Sequence, residues 1–294
     1  MKGGPKLKIG VSSYSFEQYR KSTGCDLITV CDQAKRIGFS GIEFVNLTEG
    51  RSGSEEEADL AEKIREHCGR IGLEIIAYTV GANLLTNDGE REMQKVKACL
   101  DIAKVLGAPL LRYDVCHSLP MRSGYTWQDA LEIIVPRVRE ITRYAAQMGI
   151  RTCSENHGYI FQDAERVETL IRKVNEQNYG WLVDLGNFIC ADGDLLASVR
   201  RAAPYAFHVH AKDFLWKSGR EPKPEGWGTS ACGNYWRGTV VGHGIVPVRQ
   251  DLRTLKNAGY DGYVSLEFEG WEENLRALEA GFHYLKDAVE EIGG

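Results

Sequence analysis

The stretch RTCSENHGYIFQDAERVETLIRKVNEQNYGWLVDLGNF, residues 151–188, reads as strand, helix, strand. RTCSENH (151–157) is β-like, Asp163–Val174 is helix-like, and GWLVDLGNF (180–188) is β-like again. Two strands joined by a helical crossover form a parallel pair. Both strands end on polar groups, Glu155 and His157 on the first, Asp184 and Asn187 on the second.

The same unit recurs in both directions. Upstream strands are expected at KIGVSSYSF (8–16), GIEFVNL (41–47), LEIIAYTV (73–80) and APLLRYDV (108–115). Helices are expected at Cys25–Arg36, Glu55–Ile71, Glu90–Leu106 and Trp127–Met148. The first of these places Leu27, Ile28, Val30, Cys31 and Ala34 at a helical period. Pro136 is expected to kink or break the last of them. Downstream come a short helix at Leu195–Arg201, strands at AFHVHAKDF (206–214) and YVSLEFEG (263–270), and a closing helix at Glu272–Ile292. Eight strand–helix units match a closed (β/α)₈ TIM barrel, expected to span residues 1–294 as one domain. An open doubly wound sheet would carry a glycine-rich loop after its first strand. SSYSFEQ stands there instead. Residues 215–246 interrupt the rhythm as a long Gly- and Pro-containing connection with several aromatics, read as a lid over a site or an interface.

Composition narrows the partners. With 36 basic and 41 acidic residues the formal charge is −5, which gives no electrostatic ground for a nucleic-acid or anionic-membrane partner. No run approaches a membrane helix, and MKGGPKLKIG does not resemble a signal peptide. The eight cysteines form no CxxC pair and fit reduced thiols of a cytoplasmic protein.

In a TIM barrel the reacting groups lie at the C-terminal ends of the strands. Those positions carry Glu43, Arg112, Asp114, Glu155, His157, Asp184, Asn187, His208, His210, Lys212, Glu267 and Glu269. One acid alone would be explained by an ion pair to Arg112, Lys212 or Arg237. Several acids on successive strands repel one another unless a cation sits among them. Glu155, Asp184, His210 and Glu267 make an oxygen-rich donor set with one imidazole, suited to Mn²⁺, Mg²⁺ or Co²⁺. The alternative is an ion-paired barrel mouth. His208, His210 and Lys212 alternate onto one face of their strand. His210 is nearer the mouth, and His208 is expected one layer deeper as a core residue.

SENHG, VDLGNF, HVHAKD, VGHG and SLEFEG, in this order, resemble the sugar isomerase/epimerase superfamily with the xylose-isomerase-like barrel. The resemblance runs from Lys8 to about Leu285. It implies one divalent ion held by Glu155, Asp184, His210 and Glu267, with Mn²⁺ first and Co²⁺, Mg²⁺ or Zn²⁺ as alternatives. It also implies a small carbohydrate substrate. Three positions depart from the ketose 3-epimerases: Asn187 replaces a histidine, Phe161 a glutamate and Trp216 an arginine. Asn187 also replaces a histidine of the apurinic endonucleases, and only His243 remains of their next metal-binding pair.

The resemblance implies an isomerase or epimerase that moves a proton through a metal-stabilised enediolate, with Glu155 and Glu267 on opposite faces of the substrate. The alternative is a lyase or dehydratase acting on a keto-sugar or 3-keto-glycoside, as in the C-glycoside deglycosidases, with His157 as acid or base. A non-catalytic sugar-binding barrel and an endonuclease rank lower. Glu43, Arg112, Lys212, Trp216 and Arg237 are the expected substrate contacts. Glu43 and Arg112 have internal ion pairing as the competing role, and Lys212 has neutralisation of the acids. Assembly as a homo-oligomer, or with a second subunit, is left open.

Overall fold

The computed structural model describes residues 7–48, 53–119 and 124–293. The barrel strands are β1 (Lys8–Ser12), β2 (Gly41–Val45), β3 (Glu74–Val80), β4 (Leu110–Tyr113), β5 (Arg151–Glu155), β6 (Tyr179–Asp184) and β7 (Ala206–Ala211). An inserted sheet contributes β8 (Asp213–Lys217), β9 (Gly228–Thr229) and β10 (Tyr235–Thr239), and β11 (Tyr263–Leu266) completes the barrel. The closed order is β1-β11-β7-β6-β5-β4-β3-β2, and every pairing is parallel.

The connecting helices are α1 (Glu17–Thr23), α2 (Leu27–Ile37), α3 (Glu55–Ile71), α4 (Gly89–Leu106), α5 (Trp127–Gln147), α6 (Ala164–Val174), α7 (Leu195–Ala202), α8 (Val248–Asn257) and α9 (Asn274–Glu291). Side-chain oxygens start several of them: Asp26, Ser54, Thr126, Asp163 and Asp194 each accept an N–H of the first turn. A 3₁₀ turn at Ser13–Phe16 replaces the end of the expected first strand, and α1 follows it. Helix α5 runs through Pro136 as one element, so the expected break is absent. Pro136 and Glu132, whose carbonyl loses its i+4 donor, are both exposed, so water can serve that carbonyl. Among the described residues no helix is long and apolar enough to cross a membrane.

The strand period of two sorts the residues. Val183, Val209, Val264 and Leu111 belong to the main core shared with the helices. Ala77, Leu110, Cys153 and Leu182 form a separate small cluster. Moving two residues along from three of these gives Arg112, Glu155 and Asp184. The positions above this cluster therefore face the barrel interior by the same alternation, and they are polar.

The expected seventh strand divides. Strand β7 ends at Ala211, Lys212 intervenes, and β8 turns away from the barrel. Residues 215–246 are not a structureless connection, because β8, β10 and β9 pair antiparallel. Asp213 closes the base of this excursion. Its carboxylate accepts N–H groups from Phe214 (2.9 Å), Gly242 (2.9 Å), Gly244 (2.8 Å) and Val246 (3.0 Å). A Cβ at position 244 would lie 2.1 Å from Asp213 Oδ1, so only glycine fits there. The VGHG motif is thus part of the anchor, and His243 is exposed.

A second clamp holds the far end. Asp192 accepts from Ser230 Oγ (2.8 Å), the Cys232 N–H (2.6 Å) and Asn234 Nδ2 (2.8 Å). The Ala231 N–H also donates to the Cys190 carbonyl at 2.9 Å.

Candidate metal centre and its cavity

Asp184 ends β6 directly beside His210, its partner in the β6–β7 register. Its Oδ1 accepts the N–H groups of Gly186 and Asn187, both at 2.8 Å. That fixes the carboxylate and leaves Oδ2 buried with no hydrogen bond. Glu155 ends β5. Its Oε1 accepts from Asn187 Nδ2 at 2.9 Å and its Oε2 meets Arg112 Nη2 at 2.6 Å. Glu267 stands just beyond β11, its backbone N–H still bonded to the Ala211 carbonyl at 3.0 Å. Its Oε2 lies 2.5 Å from Lys212 Nζ.

These three carboxylates surround one face of the His210 ring. Nδ1 is 3.7 Å from Glu155, 3.8 Å from Asp184 and 3.5 Å from Glu267. Donor atoms of all four residues lie within 4.8 Å of one another. Two donors about 2.1 Å from a common ion at a tetrahedral angle would be about 3.4 Å apart. His210 Nδ1 is buried and accepts or donates no hydrogen bond. Nδ1 and Asp184 Oδ2, both buried without a hydrogen bond inside a ring of carboxylates, fit a divalent cation, although Lys212 Nζ lies 3.4 Å from Oδ2.

The other edge of His210 faces the closed side. Nε2 lies 2.7 Å from Glu43 Oε1, off the N–H axis, so the contact is one of charge rather than an aligned hydrogen bond. Glu43 Oε2 is 2.6 Å from His208 Nε2. Both residues are buried. Glu43, expected as a substrate contact, lies beneath the cluster among the ring nitrogens, where the competing role of internal ion pairing would place it. His208 occupies the deeper layer as the alternation required.

Charge balance explains the ionisation. Against the cost of burial, the Arg112 guanidinium holds Glu155 down to about 2. Burial likewise opposes ionisation of Glu267, and the charges of Lys212 and His210 hold it well below the usual carboxylate range. Lys212 is raised well above its ordinary value: burial works against it, and the charges of Asp184, Glu267 and Glu269 prevail. Lys212 therefore neutralises the acids, while Arg112 also meets Asp114 at 2.8 Å.

Two cavities open above the cluster and share His157, Lys212 and Glu269. One, of about 250 Å³, is also bordered by Tyr14, Asn46, Thr79 and Arg112. The other, of about 370 Å³, is bordered by His117, Tyr159 and Trp236. His157 is partly exposed (44 %), and its Nδ1 lies 3.0 Å from Asp114 Oδ1. Although burial opposes it, this hydrogen bond raises the His157 pKa.

The structure brings neither Trp216 nor Arg237 to the lining of either cavity. Trp216 is 45 % exposed on the inserted sheet and borders neither cavity. Arg237 sits over the rings of Trp271 (4.7 Å) and Trp227 (5.8 Å) and is 3.8 Å from Glu272. The insertion reaches the cavity through Trp236, opposite Trp216 in the β8–β10 pairing. Phe161 is a core residue, edge-on to Trp127 at 6.4 Å. Asp114 stood among the polar strand ends without being singled out, whereas Tyr14 and Tyr159, which border the cavities, carried no signal in the sequence.

A family model described as xylose isomerase-like TIM barrel matches residues 31–288. An inosose dehydratase of Yersinia enterocolitica is 28 % identical over 156 residues, which is 51 % of this chain and 50 % of that protein. The match thus spans about half the length of that curated relative. A xylose isomerase domain protein from Planctomyces limnophilus superposes with a TM-score of 0.75 at 18 % identity, covering 98 % of each chain. A xylose isomerase-like TIM barrel protein from Mycobacterium smegmatis, solved with magnesium, gives 0.73 at 18 % identity and covers 97 % of each chain.

Proposed function

From a chain that belongs to the xylose isomerase-like TIM barrel family, we propose a divalent-metal-dependent lyase of the dehydratase type. Its substrate is a sugar-like ketone with an oxygen substituent β to the carbonyl. Glu155, Asp184, His210 and Glu267 would hold the ion. When bound, the ion supplies Lewis acidity that polarises the carbonyl and stabilises the charge left by proton removal. The donor chemistry suits Mn²⁺, Mg²⁺, Co²⁺ or Zn²⁺.

The His157–Asp114 pair carries this reading. Asp114 accepts from Nδ1, which leaves the Nε2 lone pair as the base. Glu155 and Glu267 each have an oxygen tied to a cation, Arg112 and Lys212, so both are weak bases. A single base serves one face of the substrate. His157 takes the proton beside the carbonyl, the β carbon–oxygen bond breaks, and its electron pair leaves with the oxygen. Glu269, where the two cavities meet, gives that oxygen a proton. Burial first, then the charges of Glu267 and Asp184, raise the Glu269 pKa against the pull of Lys212. The half-length relative named for dehydration supports the same outcome.

Isomerisation or epimerisation is the second reading. A proton held on the partly exposed His157 can return to carbon when the substrate lacks a leaving group. The test is incubation with Mn²⁺ and inosose, then with free keto-sugars, in D₂O. An unsaturated ketone supports elimination, and deuterium in recovered or isomerised sugar supports the second reading. Neither product from any substrate overturns both.

A further inference from the structure

We propose that the larger cavity, bordered by Tyr159 and Trp236, is a subsite for a planar aryl ring attached to the substrate. The inference rests on the reaction proposed above, since it seats the sugar-like part in the smaller cavity. The two cavities share His157, Lys212 and Glu269, so a molecule occupying both would place its junction beside the proposed base.

Both aromatic walls are secured from behind. Tyr159 is 59 % exposed and has φ 66°, a conformation that is costly for a bulky side chain. Its N–H donates to Gln162 Oε1 at 2.8 Å, and Gln162 Nε2 donates to the Asn187 carbonyl at 3.1 Å. A buried strut thus holds the ring out from the protein instead of letting it fold onto the core. Trp236 packs edge-on to Phe214 at 5.1 Å and lies over Gly228, where a Cβ would come within 2.4 Å of the indole. The Asp192 clamp fixes the strand that carries it. Walls set before a ligand arrives reduce the ordering cost of binding.

The two amides of the lining are already engaged. Gln162 is bonded at both ends of its amide. Asn187 gives Nδ2 to Glu155 and takes Lys212 Nζ on Oδ1 at 3.4 Å. Beyond the ring edges of Tyr159 and Trp236, hydroxyls of a second sugar would find side-chain partners, among the described residues, only in His117 and the shared His157, Lys212 and Glu269, whereas an aryl face needs only the two rings. Neither aromatic stood among the expected substrate contacts, because Tyr159 follows a strand end and Trp236 lies in the insertion.

The test is calorimetric binding to the Mn²⁺-loaded protein of three probes: 4-nitrophenyl β-glucoside, methyl β-glucoside and cellobiose. The aryl glucoside should bind about tenfold tighter than either other probe. That ratio should fall toward one in Tyr159→Ala, whose side chain is exposed and whose loss leaves the core intact. Trp236→Phe, folded by circular dichroism, should reduce it partly. Equal affinities, a preference for cellobiose, a ratio unchanged in both variants, or no binding of any probe would each overturn the subsite. Binding is read without turnover, so these outcomes are independent of the D₂O experiment.

Discussion

Glu43 and His210 meet 2.7 Å apart beneath the carboxylate cluster, and that contact decides which ring nitrogen faces the mouth. With Nε2 turned to Glu43, only Nδ1 is presented to Glu155, Asp184 and Glu267. Glu43 is fully buried, and its pKa lies well below the usual range: burial opposes this, and the charges of His210 and His208 overcome it. A carboxylate behind a histidine ligand raises the basicity of the ligating nitrogen.

Glu43→Gln keeps the volume and removes the charge. Mn²⁺ affinity measured by titration calorimetry should fall roughly 10–100-fold. An unchanged affinity would show that Glu43 only fills the barrel.

Lys212 balances Asp184, Glu267 and Glu269 from within 3.8 Å. Lys212→Met leaves those charges without their cation. After chelation the variant should melt roughly 10 °C below the parent, the consequence of breaking a buried pair. Added Mn²⁺ should recover most of that loss, because the ion restores positive charge at the same place. An equal loss with and without Mn²⁺ would assign Lys212 to packing alone.

His157→Gln should lower kcat by about 10²–10⁴-fold. Divalent-ion affinity should hold, because His157 lies outside the donor set. Exchange of substrate carbon-bound hydrogen with D₂O should disappear in parallel. Retained exchange would return the role of base to Glu155 or Glu267.

Asp251 on α8 is fully buried, and among the described residues neither carboxylate oxygen has a hydrogen-bond partner. Burial pushes its pKa from 3.8 up to about 8. A carboxyl with a raised folded-state pKa stabilises the fold while protonated, and that stability is lost as pH rises from about 4 to about 8. Asp251→Asn should therefore raise the melting temperature at pH 8 by roughly 5–10 °C, and little at pH 4. Parallel melting curves across that range would show that the carboxylate finds a partner.

The barrel was legible because each strand–helix unit carries its own periodicity, and the gathering of Glu155, Asp184, His210 and Glu267 because one falls at each strand end. The depth of Glu43 was not legible for a geometric reason. A polar residue pointing into a barrel can face the mouth or the layer below, and sequence position does not separate the two. The layout of the insertion was not legible for another. Its strands pair only with one another, so Trp216, Trp236 and Arg237 sit on a short sheet whose register depends on non-local pairing. Asn187 was read as a lost histidine, yet its amide links Glu155 to Lys212. A substitution that removes a titratable group can leave a hydrogen-bonding position in full use.

Asp213 gathers the beginning and the end of the inserted sheet onto one carboxylate, so the separation of the two ends does not depend on what lies between them. The barrel therefore meets the excursion as a cassette with fixed terminals. Its closure entropy changes only slowly with length, by about 0.6 kcal/mol per doubling. Chimaeras that keep Asp213 and the glycines at 242 and 244 while exchanging residues 215–240 would retain the carboxylate cluster and exchange the Trp236 wall of the cavity. The cluster and the wall above it would then be separately heritable parts of one chain.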